Sequence, residues 1–251
     1  MTLSRLIPLL AVALLAIALT SGSVMAKSAA APGASTCTGG TVAAGSYTSL
    51  TITGDCSLPD SGTVTVNGGL TIAPGASFNA MTTGTLIVRG GVTVGEGAAF
   101  ALGCSPETGC DVATNDQISG GLTANQALAV ILHSDTIRGH VAINGGGGGV
   151  TCDPLLFGGP AFMDIEDSTI SGGVSVTGVE SCWLGLFRNH VSGSVNVANN
   201  TLADPDATEV ATNDIRGSLM CSNNSPAAQI GDSEGFPNTV TGQKQGECAG
   251  L

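Results

Sequence analysis

The chain has 251 residues, of which 42% are hydrophobic and only 10% are charged. Its 19 acidic and 7 basic residues give a formal net charge of −12. No basic patch offsets this charge, so the surface repels phosphate backbones and anionic lipid headgroups, and we expect no nucleic-acid partner. The length is sufficient for one domain with a sizeable core.

The N-terminus has the features of a secretory signal. Arg5 precedes an apolar run from Leu6 to Leu19, and the segment ends at Ala26 with the small residues that a signal peptidase needs. We predict a signal peptide over residues 1–26 and a flexible leader, rich in Ala, Ser and Gly, over residues 27–36. The protein is therefore expected to be secreted and extracellular, with no membrane partner after the signal is removed.

One short phrase recurs from residue 49 onward, in which a glycine or small residue leads into an apolar, polar, apolar strand. Successive copies begin 19 to 33 residues apart, and such a spacing with variable loops is typical of a stacked solenoid. The sequence predicts an all-β, right-handed parallel β-helix of about eight coils over residues 37–231. The copies are Ser49–Ile52, Gly69–Ile72, Gly91–Val94, Gly121–Ala124, His140–Ile143, Gly173–Val176, Ser194–Val197 and Ser218–Cys221.

The phrase also sets the register between coils. Thr85–Val88, Gly91–Val94 and Ala98–Leu102 predict three strands within one coil. Phe78 and Phe100 each fall nine residues after the leading glycine of their coil, so we expect their rings to stack one strand spacing, about 4.8 Å, apart. A column of polar residues four positions before the turn glycines predicts a hydrogen-bonded ladder. Its members are Asp116, Asp135, Ser168, Asn189 and Asn213.

All eight cysteines follow residue 36, and an even number in an exported protein predicts disulfides. Metal ligation is the alternative, but no two cysteines have CxxC spacing and no histidine cluster lies beside them. Bridges that close local loops typically contribute about 2–4 kcal/mol each. The coil positions suggest the pairs Cys37–Cys56, Cys104–Cys110, Cys152–Cys182 and Cys221–Cys248.

Two segments depart from the repeat. An insertion from Asn144 to Pro160 contains five consecutive glycines at positions 145–149, which hold no fixed shape unaided, so we expect the Cys152 bridge to tether it. Residues 232–251 lack the repeated phrase and are predicted to form a C-terminal cap over an otherwise open strand edge.

The coil phrase, over roughly residues 37–224, resembles the right-handed parallel β-helix proteins whose best-known members are pectate lyases and polygalacturonases. This resemblance implies the parallel β-helix fold and does not imply an activity. The Asn-Thr-Asp, Asp-Asp, Gly-His-Gly and Arg-Ile-Lys blocks of polygalacturonase-type hydrolases do not occur in the sequence. The stretch from Pro237 to Cys248 resembles the tail of small secreted actinobacterial proteins, which implies secretion and no particular chemistry.

The register predicts one constellation of charged side chains. It places His133 against Glu166 and Arg188 against Asp167 on neighbouring coils. Asp164 and Glu166 alternate with one core residue, so both carboxylates point out of the core on one strand, about 7 Å apart. The five residues are predicted to form one patch beside the insertion.

This patch has a catalytic interpretation and a structural one. Two carboxylates at this separation suit the acid and base of glycoside hydrolysis, or the ligands of a Ca²⁺ ion with Arg188 as base or clamp in a lyase. In the structural interpretation, an acidic protein displays many carboxylates and Arg188 merely neutralises Asp167. We expect no cofactor and no metal unless the protein is a lyase, which would use calcium.

A second surface signal is a file of outward threonines on the repeated strand. Stacked threonines form a flat, regular face that could match ice or a crystalline polymer, but the β propensity of threonine explains them equally. The file consists of Thr51, Thr71, Thr93 and Thr123.

The sequence favours a secreted module that is not an enzyme and binds or structures extracellular or cell-envelope material, such as a polysaccharide or cell-wall glycan. Aromatic residues make up only 3% of the chain, whereas sugar clefts usually present aromatic platforms. The competing hypothesis is a divergent polysaccharide lyase or glycoside hydrolase that uses the predicted patch. No feature of the sequence specifies an oligomeric state.

Overall fold

The computed structural model describes residues 33–106, 109–156, 159–231 and 235–251. The predicted signal peptide and residues 27–32 of the predicted leader lie outside the described residues. The described chain consists of β-strands and turns and ends in a 3₁₀ helix, Glu247–Gly250. No helix in these ranges is long and apolar enough to cross a membrane.

The strands form three long parallel sheets, which we name sheets I, II and III. Sheet I contains Ser35–Cys37, Leu50–Ile52, Leu70–Ile72, Val92–Val94, Leu122–Asn125, Val141–Asn144, Val174–Thr177, Val195–Ala198, Leu219–Ser222 and Lys244–Gly246. Sheet II contains Gly40–Thr41, Asp55–Ser57, Ser77–Ala80, Ala99–Leu102, Ala129–His133, Phe162–Glu166, Trp183–Phe187 and Glu209–Ala211. Sheet III contains Gly45–Tyr47, Thr63–Val66, Thr85–Val88, Gln117–Ile118, Thr136–Ile137, Thr169–Ile170, His190–Val191, Asp214–Ile215 and Thr239–Val240. A short sheet pairs Glu180–Ser181 with Thr201–Leu202.

Equivalent residues of successive coils pair directly with one another. In sheet I, Thr51 pairs with Thr71 and Thr71 pairs with Thr93, all in parallel strands. The chain therefore forms a parallel β-helix solenoid, as the repeated phrase predicted. Sheet I has ten strands, because Ser35–Cys37 and Lys244–Gly246 extend it at its two ends although neither carries the apolar, polar, apolar phrase.

The inward side chains stack in columns through the core. Phe78 and Phe100 pair in sheet II with ring centroids 6.1 Å apart and an interplanar angle of 11°, which confirms the predicted stack. Burying such a side chain contributes about 1.5–3 kcal/mol. The next residue in this column is Val130, so the aromatic stack ends after two rings and an aliphatic column continues.

The predicted polar column forms a hydrogen-bonded ladder between sheets II and III. Asn189 Oδ1 accepts the backbone N–H of Ser168 at 3.0 Å, and Asn189 Nδ2 donates to a carbonyl of the earlier coil at 2.6 Å. Asn213 and then Asn238 repeat both bonds in the following coils. The ladder satisfies buried backbone groups at a corner where the sheets do not supply partners.

Two buried acidic residues occupy the N-terminal part of this column. Burial raises the pKa of Asp116 to about 6, although the Leu86 backbone N–H and the Thr114 hydroxyl favour the charged form. Burial raises the pKa of Asp135 well above its usual range, and the charge of nearby Asp116 raises it further. A hydrogen bond with the His133 backbone lowers this pKa but is outweighed. A carboxyl group whose pKa is higher in the folded state binds its proton more tightly there, so its contribution to stability is present at low pH and is lost as pH rises through the folded pKa.

The eight cysteines form the four predicted disulfides, and none is free. Metal ligation by cysteine, the alternative that the sequence left open, is wrong. Cys37–Cys56 and Cys221–Cys248 each join a terminal coil to its neighbour, and Cys152–Cys182 joins the insertion to the coil that follows it. Four disulfides are characteristic of proteins that fold in an oxidising environment.

The C-terminal segment continues the solenoid before it ends. Thr239–Val240 pairs with Asp214–Ile215 in sheet III, and Lys244–Gly246 pairs with sheet I. The 3₁₀ helix follows, and the side chain of Cys248 is fully buried. Glu247 accepts hydrogen bonds from Asn224. Burial of Glu247 opposes its ionisation, but these hydrogen bonds outweigh it and lower the pKa of Glu247.

Removing a ladder amide should destabilise the solenoid. We expect Asn213→Ala to lower the free energy of unfolding by about 2–4 kcal/mol, because the Asn189 N–H and the Leu186 carbonyl lose buried partners. The matched control, Asn125→Ala, removes an exposed bond to Asn144 and should change it by less than about 0.5 kcal/mol. Denaturant unfolding of the oxidised proteins measures both. Equal losses in the two variants would contradict the role of the ladder.

Replacing the buried acid with the amide found elsewhere in the column should remove part of the pH dependence. Wild-type stability should fall as pH rises from about 4 to 8, since the raised pKa values favour the protonated folded state. Asp135→Asn should flatten this decline and raise Tm at pH 8 by about 5 °C. Thermal unfolding across this pH range tests the effect, with the exposed Asp60→Asn as control. An unchanged slope in Asp135→Asn would refute it.

Candidate functional site

The outer face of the middle strands of sheet II is buried, unlike the outer face of sheet I. In sheet I the outward Thr71 and Thr93 are exposed, whereas in sheet II the outward Ile131 and Asp164 are each only 5% exposed. Leu156 of the insertion lies against this face and lines a small cavity together with Ile131. Polar side chains on the middle strands of sheet II are therefore largely removed from solvent.

The structure brings the five predicted site residues together, and we name them the acidic patch. His133 pairs with Glu166 across neighbouring strands, as predicted. His133 Nε2 lies 2.9 Å from Asp164 Oδ2, and His133 Nδ1 lies 3.9 Å from Glu166 Oε2. Arg188 donates from Nη2 to Glu166 Oε2 at 2.6 Å and from Nε to Asp167 Oδ1 at 2.7 Å. The patch is a continuous chain of hydrogen bonds and ion pairs.

Left-handed backbone after sheet II makes Asp167 and Arg188 neighbours. The φ angles are 61° at Ser134, 51° at Asp167, 52° at Arg188 and 61° at Thr212. Non-glycine residues seldom adopt this conformation. Each of these four coils nevertheless has one such residue at the same corner, where the chain turns toward sheet III. Arg188 then donates a second hydrogen bond to Asp167, from Nη2 at 2.9 Å, which gives the bidentate geometry of a strong pair.

Most of the patch is inaccessible to a polymer. His133 and Asp164 are 5% exposed and Glu166 is 8% exposed, whereas the side chains of Asp167 and Arg188 retain 33% and 21% exposure. An acid and a base must lie within hydrogen-bonding reach of the scissile linkage. In this arrangement Asp164 and Glu166 face His133 and Arg188 instead, so the two carboxylates are not presented to a polysaccharide.

A separate cleft of about 470 Å³ lies beside the five glycines. Its lining includes the polar residues Glu96, Gln126 and Glu180, and among the described residues neither lysine nor arginine lines it. None of the acidic-patch residues contributes to it. The lining consists of Glu96, Gly97, Gln126, Leu128, Gly146, Gly148, Gly149, Gly178 and Glu180.

Backbone hydrogen bonds fix the glycine loop that forms one wall of this cleft. All five glycines at 145–149 have φ between 66° and 100°, a region that favours glycine. The N–H groups of Gly145, Gly147 and Gly149 donate to carbonyls of the adjacent coils at 2.7–2.9 Å. A Cβ at Gly147 would collide with the Glu180 carbonyl. The loop therefore has a defined shape that depends on these bonds as well as on the Cys152–Cys182 bridge.

Gln126 is the unusual residue of the cleft. Its φ of 54° is left-handed, and the positions that follow it from coil to coil at this corner hold Gly145, Gly178, Asn199 and Asn223, also left-handed. Glycine and asparagine adopt this conformation readily, whereas glutamine does so at a cost. A Cβ at Gly145 would overlap the Gln126 amide, so the glycine makes room for the glutamine. A glutamine in a column that otherwise holds glycine and asparagine is the sequence feature that could have indicated the cleft.

Sheet I presents an uncharged face next to the cleft. Five threonines pair in register along it, namely Thr36, Thr51, Thr71, Thr93 and Thr123. The file continues through Ala142, Ser175 and Asn196, and a depression of about 480 Å³ lies over these smaller residues. The neighbouring outward positions Thr53, Ala73 and Gly95 do not form a second threonine file. A single file of threonines favours a broad polar contact surface over a surface that matches the lattice of ice or of a crystalline polymer.

Trp183 has a structural environment. Its ring stacks on Phe187 with centroids 5.7 Å apart, and Phe162 meets its edge at 6.3 Å. The indole N–H donates to Glu209 Oε1 at 3.1 Å. Gly185 lies between the two stacked rings, where a Cβ would collide with both. The indole is therefore held by packing and is not an open platform for a sugar.

Comparisons with protein-family models, with curated proteins and with solved structures found no match to this chain. The functional assignment consequently depends on the geometry of the cleft, the sheet I face and the acidic patch.

Arg188 should be required for the stability of the patch. We expect Arg188→Met to lower the free energy of unfolding by about 3 kcal/mol, because Glu166 loses its guanidinium partner while it remains buried. The control Arg89→Met removes an exposed arginine and should cost less than about 0.5 kcal/mol. Denaturant unfolding compares the two variants. A loss no larger than that of the control would contradict a buried, coupled patch.

Proposed function

We propose that this protein is a secreted, extracellular module that binds a neutral polysaccharide without cleaving it. The binding surface is the cleft lined by Glu96, Gln126 and Glu180, continued by the uncharged face of sheet I. The observation that carries the proposal is Gln126, a residue in a costly left-handed conformation that lines the cleft. Strain of this kind persists where the surrounding structure enforces it and is concentrated at functional sites.

The chemistry of the cleft favours sugar hydroxyls as its ligands. The carboxylates of Glu96 and Glu180 accept hydrogen bonds, and the Gln126 amide both donates and accepts. A cleft of about 470 Å³ falls within the usual range for small-ligand sites. Asn125 immediately precedes Gln126 at the end of a sheet I strand, so a polymer seated in the cleft would extend across the threonine file.

Charge selects among the possible polysaccharides. The chain carries a net charge of −12, and two carboxylates but no basic side chain line the cleft. An anionic polymer such as a polyuronate is repelled by this surface, whereas a neutral chain is not. The proposal therefore names neutral glycans, such as cellulose, chitin or the glycan strands of a cell wall.

The burial of the acidic patch supports binding without cleavage. Asp164 and Glu166 are 5% and 8% exposed, and their nearest polar partners are His133 and Arg188. The competing hypothesis, a lyase or hydrolase acting through these five residues, requires that the carboxylates reach the glycosidic linkage. A lyase produces unsaturated ends and a hydrolase produces reducing ends, so the two hypotheses differ in their products.

Retention on insoluble glycans tests the proposal. The purified mature protein should bind cellulose, chitin or cell-wall glycan saturably and should not bind pectate. Gln126→Gly should weaken retention about 5–10-fold through loss of the amide contact. The same change should raise the free energy of unfolding by up to about 1 kcal/mol, because glycine adopts this φ without strain.

The matched control is Asn199→Gly, which makes the same kind of change in the same left-handed column on a coil outside the cleft. It should leave retention unchanged. Equal retention of Gln126→Gly and wild type would refute the cleft as the binding site. Release of reducing or unsaturated ends, abolished in Glu166→Gln, would establish the enzyme hypothesis instead.

A further inference from the structure

The interior of the acidic patch contains an imidazole between two carboxylates. His133 Nε2 lies 2.9 Å from Asp164 Oδ2, and His133 Nδ1 lies 3.9 Å from Glu166 Oε2. A neutral imidazole carries one N–H, so one of its nitrogens presents a lone pair to a carboxylate oxygen. Two acceptors that face each other in a buried site repel each other unless a positive charge lies between them.

Two buried polar atoms at this place have no hydrogen-bond partner. They are His133 Nδ1 and Asp164 Oδ1, on side chains that are each 6% exposed. Buried polar groups are nearly always satisfied, and an exception calls for an explanation such as an ion. The unpartnered Nδ1 belongs to the ring edge that faces Glu166, so the orphan atom points into the cluster.

The charge of the buried cluster is also unbalanced. Arg188 pairs with both Glu166 and Asp167, so three carboxylates of the patch share one guanidinium, and the buried Asp164 and Glu166 lie on either side of the imidazole. Uncompensated charge is costly where the surroundings exclude water. A single divalent cation would neutralise both carboxylates.

We propose that His133, Asp164 and Glu166 bind one first-row divalent metal ion, with Zn²⁺ as the best match. Each residue offers one ligand atom, and these atoms lie within 4.8 Å of one another. In a tetrahedral zinc site, donor atoms that lie about 2.0–2.2 Å from the ion are about 3.4 Å apart. His133 Nδ1 and Glu166 Oε2 lie 3.9 Å apart, so a small movement of either side chain would let both atoms bind one ion.

The donor set determines the class of metal. An imidazole nitrogen with two carboxylates suits zinc and its first-row neighbours, whereas Ca²⁺ and Mg²⁺ are bound by oxygen ligands. Arg188 donates to Glu166 at 2.6 Å and orients this carboxylate, as outer partners commonly do for metal ligands. The site is independent of the glycan cleft, since none of its residues lines that cleft.

Zn²⁺ binding by the purified, oxidised full-length mature protein tests the site. After chelator treatment and buffer exchange, isothermal titration with Zn²⁺ should show one ion per chain, and Tm should rise by about 5 °C at saturation. Ca²⁺ at the same concentration should produce neither effect. Zinc absorption spectroscopy should report one imidazole nitrogen, and the remaining ligands should be oxygen.

Variants separate this site from adventitious binding. His133→Gln and Glu166→Gln should each weaken Zn²⁺ binding at least about 10-fold. His190→Gln is the matched control, since it removes an exposed histidine that also lies beside a carboxylate, Asp214, and it should bind as wild type does. If the His133 variant does not fold, Glu166→Gln and the wild-type titration still decide the matter. Absence of Zn²⁺ uptake by wild type at micromolar concentrations, or loss of binding only in His190→Gln, overturns the proposal.

Discussion

In-register parallel stacking is the constraint on which the rest of the structure depends. Each coil places its residues directly over the equivalent residues of the coil before it, one strand spacing away. Phe100 therefore packs on Phe78, and each ladder amide bonds the backbone of its neighbour. An insertion of one residue within a strand would exchange inward and outward side chains. Loops can vary in length only at the corners. The cleft lies at one corner, and the acidic patch extends from the strands of sheet II to the corner that follows them.

Left-handed residues at two corners give the solenoid its functional surfaces. At the corner after sheet I, glycine and asparagine occupy the left-handed positions except where Gln126 faces the cleft. At the corner after sheet II, two of the left-handed residues, Asp167 and Arg188, carry opposite charges and pair with each other. The first corner is open because glycines line it, and the second is closed because its charged side chains bond one another. The same backbone geometry thus produces a cleft in one place and a compact ionic cluster in the other.

Much of this arrangement could be predicted from the sequence, because residues at equivalent positions of the repeat lie next to one another in successive coils. The pairing of His133 with Glu166 and the aromatic stack follow from register alone, and the coil positions of the cysteines suggested the four disulfides. Burial of the patch could not be predicted in this way, because register determines which residues are neighbours on a sheet face and not which segments cover that face. The insertion, which has no counterpart in the repeat, places Leu156 on the outer face of sheet II beside Ile131. Ser35–Cys37 and Lys244–Gly246 were missed as sheet I strands because end strands pair on one side only and need not carry the core pattern.

The positions of two disulfides change how the solenoid can come apart. In a stack of repeats, each coil contacts only its neighbours, so a terminal coil is held by one interface and an inner coil by two. Peeling from an end is consequently the least costly way to open such a molecule. Cys37–Cys56 fastens the first coil to the second, and Cys221–Cys248 fastens the last to its neighbour. With both terminal coils fastened, a covalent bond opposes peeling from either end, and opening within the stack must break two interfaces at once.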